Sequence, residues 1–291
     1  MPNVLVMTDT VACIPNKLAE EYHIKIVPAA NIAFGDQNYI EGVTISVTEA
    51  YELIKKDPDK FLTSAMTPGY FMDEYHKLSK KSSDILHITM AQVLSANFKT
   101  ANLGADTFRA KSPQTNIRVM DSRTVAGAQG LVVLAAARAA AQGMNLDQVV
   151  YVAEQVRKKS GGFMMLDTLR YIYRTGRMSK EEASKAAALN IKPINRVNDE
   201  GLVEFVDSVT EREDGFKKLI ELIQKEAGTD ALHFLISHAA APEIAREFSE
   251  LLRQKFNCLS LIISDYSPVM GYGAGPGALF AGFHPELDLF K

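Results

Sequence analysis

The sequence predicts a two-domain α/β protein, with an N-terminal domain over residues 1–160 and a C-terminal domain over residues 161–291. The chain has 291 residues, about twice the length of a typical single domain. Short β-branched runs alternate with longer helical patterns, which is typical of a mostly parallel sheet with helices on both faces. The alternation restarts at Gly161 and then includes a hairpin signal, Asn198-Asp199-Glu200-Gly201, so we expect a mixed sheet in the second domain.

In the N-terminal domain the pattern begins with a strand. Pro15 suits the first turn of a helix, and a polar stretch at 35–42 predicts an excursion or a hairpin. Thr48 is expected to cap the helix that follows this stretch. Gly143 ends an alanine-rich helix and Asn145 caps the next one. The predicted strands are 4–7, 24–27, 85–89 and 117–120, with a short extended piece that ends at 63–64, and the predicted helices are 15–21, 49–56, 68–79, 95–109, 126–141 and 146–159.

The C-terminal domain is predicted to combine an antiparallel pair with further strand and helix units. Gly176 ends its first short helix, and a glycine-rich turn precedes its last strand. The predicted strands are 163–166, 191–197, 202–209, 232–236, 259–263 and 278–283, and the predicted helices are 167–175, 180–189, 211–227 and 241–256.

Composition excludes several classes of function. The formal net charge is -3 and the sequence has no basic stripe, so a dominant nucleic-acid role is excluded. The N-terminus lacks a basic region and a long apolar run, and the most apolar stretch, 131–141, is too short to span a bilayer. We therefore expect a cytoplasmic protein without integral membrane contact. Cys13 and Cys258 suggest neither a disulfide framework nor a zinc site.

Small hydroxyl side chains recur at the carboxyl ends of the predicted strands. Ligands of open α/β sheets bind beyond these ends, and free N–H groups at helix starts favour an anion. An N-cap role is the alternative for each residue. Their recurrence predicts that some of them face an anionic headgroup. The residues are Thr8, Thr10, Thr63, Ser64, Thr89, Ser95, Ser122 and Thr124.

Other candidate groups carry weaker signals. Asp9 and Asp121 close strands, but neither has the neighbours of a metal site, so capping or turn roles are favoured. A hydrolase built from Ser95, His238 and an aspartate is conceivable, although the GxSxG elbow is absent. Arg177 follows a helix end, where it could form an interdomain salt bridge or contact an anion. The glycine cluster at 271–277 favours close backbone approach to a ligand or to the other domain.

Seven short motifs run along the chain. They are Met7-Thr8-Asp9-Thr10, Thr63-Ser64-Ala65-Met66-Thr67-Pro68, Leu94-Ser95-Ala96-Asn97-Phe98, Met120-Asp121-Ser122, Leu166-Asp167-Thr168-Leu169 with Thr175-Gly176-Arg177-Met178-Ser179, Ile191-Lys192-Pro193-Ile194, and Gly275-Pro276-Gly277-Ala278-Leu279. In order and spacing they resemble the DegV family, and the resemblance covers essentially the whole chain.

The resemblance implies a protein that binds a long-chain fatty acid between two α/β domains and catalyses no reaction by itself. Some members of the family are the acyl-binding subunit of a bacterial fatty acid kinase and present the carboxylate to a separate ATP-using subunit. Thr63 matches the threonine of the family's Thr-Ser-Gln-Pro motif, and Ser95 matches the last serine of its serine-rich loop. Both positions are associated with the fatty-acid carboxylate, and Ser64 stands beside the first of them.

The chain departs from the family pattern at several positions. Gly273 replaces a histidine that supplies a headgroup donor, and the adjacent Tyr272 offers a replacement hydroxyl. Thr210 stands where the family often has an arginine, with Arg212 two residues further on. Lipid binding is therefore better supported than partnership with a kinase subunit. The family's Ser-Ser and Gln-Pro pairs are Ala91-Gln92 and Ala65-Met66 here.

An acyl chain needs an apolar lining. Each buried CH₂ of a chain of about sixteen carbons contributes roughly 0.8 kcal/mol. Methionine adapts to flexible ligands, so Met66, Met164, Met165, Met178 and Met270 are candidates for the lining, and filling of core gaps is the alternative. We expect a C16–C18 fatty acid as the ligand and no cofactor or metal. Two other hypotheses stay open, a divergent paralogue that binds another apolar lipid and a stand-alone hydrolase or phosphotransferase.

Overall fold

The computed structural model describes residues 2–176, 191–228 and 231–288. The predicted helix at 180–189, together with Arg177 and Met178, lies outside these residues. The strands are β1 Val4–Asp9, β2 Lys25–Val27, β3 Ala30–Phe34, β4 Gln37–Ile40, β5 Phe61–Ala65, β6 Asp84–Thr89, β7 Asn116–Asp121, β8 Gly161–Met165, β9 Lys192–Val197, β10 Val203–Val209, β11 Leu232–His238, β12 Cys258–Asp265 and β13 Leu279–Pro285.

The helices, numbered over the described residues, alternate with these strands along most of the chain. They are α1 Asn16–Glu21, α2 Val47–Lys56, α3 Pro68–Ser79, α4 Asn97–Lys111, α5 Ala126–Ala141, α6 Leu146–Lys159, α7 Arg170–Arg174, α8 Arg212–Ala227, α9 Pro242–Lys255 and α10 Pro268–Ala274. Two short 3₁₀ turns cover Thr10–Ala12 and Pro58–Lys60.

A four-stranded parallel sheet in the order β2-β1-β6-β7 forms the centre of the N-terminal half. The pleat of β1 sends successive side chains to opposite faces. Leu5 and Met7 pack with α3 and α4, whereas Val4 and Val6 pack with α5 and α6. The predicted parallel sheet with helices on both faces is thus confirmed.

A second, three-stranded antiparallel sheet has the order β4-β3-β5. Strands β3 and β4 form a hairpin. For the stretch at 35–42 the sequence predicted either an excursion or a hairpin, and the structure has the hairpin. The edge strand β5 of this sheet carries Thr63 and Ser64, which pair with Ile32 and Asn31 of β3. The hydroxyl pair therefore belongs to a small sheet of its own.

The C-terminal half is built on a six-stranded mixed sheet in the order β10-β9-β8-β13-β11-β12. β11 and β12 run parallel, and the other neighbouring pairs are antiparallel. The predicted hairpin joins β9 to β10. The mixed sheet expected for this half is therefore confirmed, and the division of the chain into two domains near Gly161 stays a prediction.

Helix α5 lies between the four-stranded and six-stranded sheets and contacts β1, β11 and β13. Almost all of its side chains are buried, because alanine and glycine let both sheets approach closely. A Cβ atom added at Gly127 would overlap the carbonyl oxygen of Leu235 on β11. The small side chains of this helix therefore hold the two halves of the chain together.

Two local predictions were wrong. Helix α2 is capped by Ser46 and not by Thr48, because Ser46 and Glu49 form a reciprocal capping box. The glycine-rich stretch before the last strand was expected to be a turn, but its first part belongs to helix α10. The N-cap of this helix is Ser267 and its first residue is Pro268. None of the helices among the described residues combines the length and apolar character needed to cross a bilayer.

Candidate ligand-binding cavity

A cavity of about 240 Å³ lies where the three sheets and helix α10 meet. The loop between β2 and β3, strand β5, the segments that precede α4 and α5, strands β8 and β10, and helices α7 and α10 contribute its walls. Both halves of the chain therefore line it. Its volume is slightly below the roughly 300–1,000 Å³ that is usual for small-molecule pockets.

The lining is apolar except for a few hydroxyl groups. Thr63, Ser64, Ser95, Thr175 and Tyr272 supply these hydroxyls. Among the described residues that line the cavity, no side chain carries a formal charge. The structure thus brings together Thr63, Ser95 and Tyr272, which the sequence assigned to a carboxylate. Ser64 also borders the cavity, but it is exposed and follows Thr63 on β5, so its side chain leaves the opposite face of the strand.

Ser95 stands at the boundary between the cavity and the protein surface. Its hydroxyl accepts a hydrogen bond from the amide of Asn97 at 3.2 Å, at the start of α4. Ser95 and Thr175 also line a wider surface depression of about 630 Å³ that includes Lys99 and Leu202. Because the cavity and the depression share these residues, they adjoin here, and we call this rim at Ser95 and Thr175 the mouth of the cavity.

The methionines predicted for an acyl-chain lining fall into two groups. Met164 and Met270 line the cavity. Met66 and Met165 do not, because Met66 packs with Phe71 and its neighbours against the four-stranded sheet and Met165 packs in the core under α8. Met164 and Met165 are successive residues of β8, so the pleat sends them to opposite faces.

Several lining residues were not identified from the sequence. Met90 directly follows β6, so its position at the carboxyl end of a parallel strand was the available signal. Val269 was missed because α10 was expected to be a turn. Ala29, Ile172 and Val203 carry no signal in the sequence beyond their apolar character.

Two buried carboxylates hold the cavity walls. Asp9 accepts hydrogen bonds from the amide of Met90 at 2.9 Å and from the side chain of Gln129 at 3.1 Å. Glu41 accepts hydrogen bonds from the amides of Ala29 and Val269, both at 3.0 Å. Met90, Ala29 and Val269 all line the cavity, so the carboxylates act on its walls through backbone amides.

Neither carboxylate forms an ion pair with a described cationic residue. Burial raises the pKa of Asp9 to about 6, and the charge of Glu41 adds to this effect. Burial also raises the pKa of Glu41, although hydrogen bonds from Thr10, Val269 and Ala29 oppose the rise. The capping interpretation of Asp9 fits, because its side chain accepts a hydrogen bond from the amide of Val11.

The residues of the hydrolase hypothesis do not meet. His238 lies 3.5 Å from Asp265 and accepts a hydrogen bond from the amide of Ala241, whereas Ser95 bonds to Asn97. Asp121 accepts hydrogen bonds from backbone amides of its own and a neighbouring loop. Within the described part of the chain, no cluster of three acidic, histidine or cysteine side chains has the arrangement of a metal site.

The glycine cluster brings two elements of the site into close approach, as expected. A Cβ atom at Gly277 would overlap the carboxylate of Asp167, and Gly277 has a left-handed φ of 87° that favours glycine. Asp167 in turn forms an ion pair with Lys192 at 2.7 Å. The turn after α10 is thus held against the segment that leads into α7.

Comparison with known proteins supports one family. A family model described as "Uncharacterised protein, DegV family" matches residues 3–286. A DegV domain-containing protein of Caldanaerobacter subterraneus subsp. tengcongensis is 28% identical over 280 residues, which cover 96% of this chain and 97% of that protein. A DegV domain-containing protein of Streptomyces coelicolor is 29% identical over 280 residues, with 95% and 96% coverage.

Solved structures share the whole fold. A DegV family protein from Corynebacterium glutamicum superposes with a TM-score of 0.83 at 25% identity, covering 99% of this chain and 98% of that one. DegV of Bacillus subtilis, described as a fatty acid binding protein, gives 0.84 at 24% identity, with 98% and 100% coverage. The fatty acid kinase B3 protein of Streptococcus pneumoniae, loaded with linoleic acid, gives 0.86 at 17% identity, with 98% and 100% coverage.

The sequence motifs, the two-sheet fold with its additional three-stranded sheet, and the match over nearly the full length agree with one another. The chain therefore belongs to the DegV family.

Proposed function

We propose that this protein binds a long-chain fatty acid, of the C16–C18 class, in the cavity between its two halves. The acyl chain occupies the apolar walls around Met164 and Met270, and the carboxylate meets the hydroxyls of Thr63, Ser95 and Tyr272. The observation that carries the proposal is this combination of an apolar lining with a few hydroxyl residues, of which Ser95 and Thr175 also border the surface depression.

The energetics fit an amphiphile with one acidic end. Burial of each CH₂ contributes roughly 0.8 kcal/mol, so even part of a C16 chain supplies a large driving force. Hydroxyl groups that donate to a carboxylate form charge-assisted hydrogen bonds, which are stronger than neutral ones. A lining without formal charges favours the tail, and the hydroxyls select the head.

The relatives support the same ligand class. DegV of Bacillus subtilis is described as a fatty acid binding protein, and the fatty acid kinase B3 protein of Streptococcus pneumoniae is loaded with linoleic acid. Both share the fold of this chain over nearly its full length. A long-chain fatty acid in the cavity of this chain would be a ligand of the same class.

We further propose that the protein works in the cytoplasm as a non-catalytic subunit and presents the carboxylate to a separate ATP-using kinase. The position of Ser95 at the mouth supports this role, because a headgroup there faces the surface depression beside Lys99. Gly273 and Thr210 replace the histidine and arginine of the family pattern. Other residues must therefore bind the headgroup and contact the kinase in this protein.

The test is extraction of lipid from the purified, untreated protein under denaturing conditions, followed by mass spectrometry. We expect a C16 or C18 acid near one equivalent per chain. Bovine serum albumin stripped of lipid and carried through the same purification is the control for acids acquired from the medium. A protein that yields no acid, and that takes up none when palmitate is supplied, contradicts the proposal.

A further inference from the structure

Arg174 places a mostly buried positive charge next to Tyr272, a residue of the cavity wall. Its side chain is 13% exposed, and its Cζ atom lies 4.9 Å from the ring centroid of Tyr272 and 5.9 Å from that of Tyr171. One guanidinium nitrogen, Nη1, lies 3.4 Å from Asp59. Nε and Nη2 are buried and have no hydrogen-bond partner among the residues that the structure describes.

Tyr272 separates this charge from the cavity. Its ring lines the cavity, and the ring centroid of Phe61 lies 5.7 Å away. Arg174 and Phe61 therefore both contact the ring and restrict its orientation. The guanidinium is one aromatic ring away from a lining that, over the described residues, has no charge of its own.

The counterion does not cancel the charge on the cavity side. The Asp59 side chain is 70% exposed, so water weakens the effect of its charge without removing it, whereas the guanidinium lies mostly in a low-dielectric region. The faces of Tyr171 and Tyr272 stabilise the cation without neutralising it. An anion bound at the hydroxyls near Tyr272 would thus experience a favourable potential.

We propose that Arg174, acting through Tyr272, is a positioning residue that makes the cavity prefer an anionic headgroup to a neutral one on the same acyl chain. The inference rests on the proposed function and deepens it, because it assigns the ligand to the class of carboxylate amphiphiles and not to alcohols, esters or sterols.

The experiment compares hexadecanoate and hexadecanol at pH 8, where the acid is ionised, by displacement of a fluorescent probe from delipidated full-length protein. The variants are Arg174→Met, Arg174→Lys and, as the matched control, Arg170→Met. Arg170 shares the partner Asp59, at 3.9 Å, but its side chain is 62% exposed, and the cation that stacks on Tyr272 is that of Arg174. The measured quantity is the ratio of the two affinities, which a purely structural defect would not change.

We expect the wild type to prefer the acid and Arg174→Met to reduce that preference about tenfold, the ratio that corresponds to 1.4 kcal/mol. Arg174→Lys restores most of the preference because it restores the charge, and Arg170→Met leaves it at the wild-type value. Asp59→Asn removes the exposed counterion and raises the preference. This last variant keeps the test decisive if Arg174→Met does not fold.

Equal losses for acid and alcohol in Arg174→Met, or an unchanged or lower preference in Asp59→Asn, would overturn the role of Arg174. A wild-type protein that binds hexadecanol as tightly as hexadecanoate overturns it as well, while leaving the lipid cavity intact. A wild-type protein that binds neither ligand contradicts the proposed function itself, and the inference with it.

Discussion

The carboxylate of Glu41 accepts a hydrogen bond from the amide of Val269, 228 residues further along the chain, at 3.0 Å. Its other oxygen accepts from the amide of Ala29. One side chain thus joins a wall of the cavity from the N-terminal half to a wall from the C-terminal half. These two amide donors offset part of the cost of burying a carboxylate that has no cationic partner among the described residues.

Glu41→Gln keeps the shape of this side chain but turns one acceptor into a donor that faces an amide. We expect a loss of about 1–3 kcal/mol in the free energy of unfolding, since a buried donor is left without an acceptor. Hydrogen–deuterium exchange of peptides that cover α10 should become faster. Glu52→Gln, on an exposed side chain of α2, is the control. Unchanged exchange in α10 would contradict the bridging role.

Asp9 should give the protein a measurable pH dependence. Its folded pKa of about 6 is above the ordinary 3.8, so the folded state binds the proton more tightly than the unfolded state. The stability from this proton is present below pH 3.8 and is lost as the pH rises through 6. The stability of the wild type relative to Asp9→Asn should therefore fall by about 3 kcal/mol over this window. A difference that is constant with pH would contradict the assignment.

Ser95→Ala removes a hydroxyl from the mouth of the cavity. We expect it to weaken binding of hexadecanoate by about tenfold or more, because a hydrogen bond to a charged group is worth roughly 1.5–3 kcal/mol. Isothermal titration measures the affinity. Ser82→Ala is matched to it, because Ser82 also accepts an amide two residues on but lies before β6, away from the cavity. Equal affinities for Ser95→Ala and the wild type would remove Ser95 from the site.

Gly127→Ala tests the close packing of α5 against the six-stranded sheet. The added methyl group would overlap the carbonyl oxygen of Leu235, so we expect a loss of about 3 kcal/mol in the free energy of unfolding. Gly69→Ala, in the first turn of α3, meets only ordinary contacts and should leave stability unchanged or raise it. Chemical denaturation of both variants measures the difference, and similar stabilities would contradict the packing argument.

Local signals predicted the helices well. Helix α5 has the predicted bounds and α6 the predicted cap and end, because Gly143 and the Asn145 capping box mark them unambiguously. Helix α10 was missed because two glycines in its seven residues, Gly271 and Gly273, mask a helical pattern. Ser267 followed by Pro268 was the signal that should have identified it.

The composition of the cavity could be predicted only in part. The hydroxyls at strand ends were identified because parallel strands bring their carboxyl ends to one edge. The pleat of β8 predicts that Met164 and Met165 point to opposite faces of the sheet. Which of the two faces the cavity depends on the orientation of β8, which the sequence does not specify. The contacts of Glu41 with Val269 and of Arg174 with Tyr272 join distant segments, and no local pattern encodes them.

The most direct test of a fatty-acid site is a crystal structure of the purified protein after addition of palmitate. We expect continuous electron density for an aliphatic chain beside Met164 and Met270, with its carboxylate within hydrogen-bonding distance of the Thr63 and Ser95 hydroxyls. A cavity filled only by ordered water, or palmitate bound elsewhere on the protein, would contradict the account.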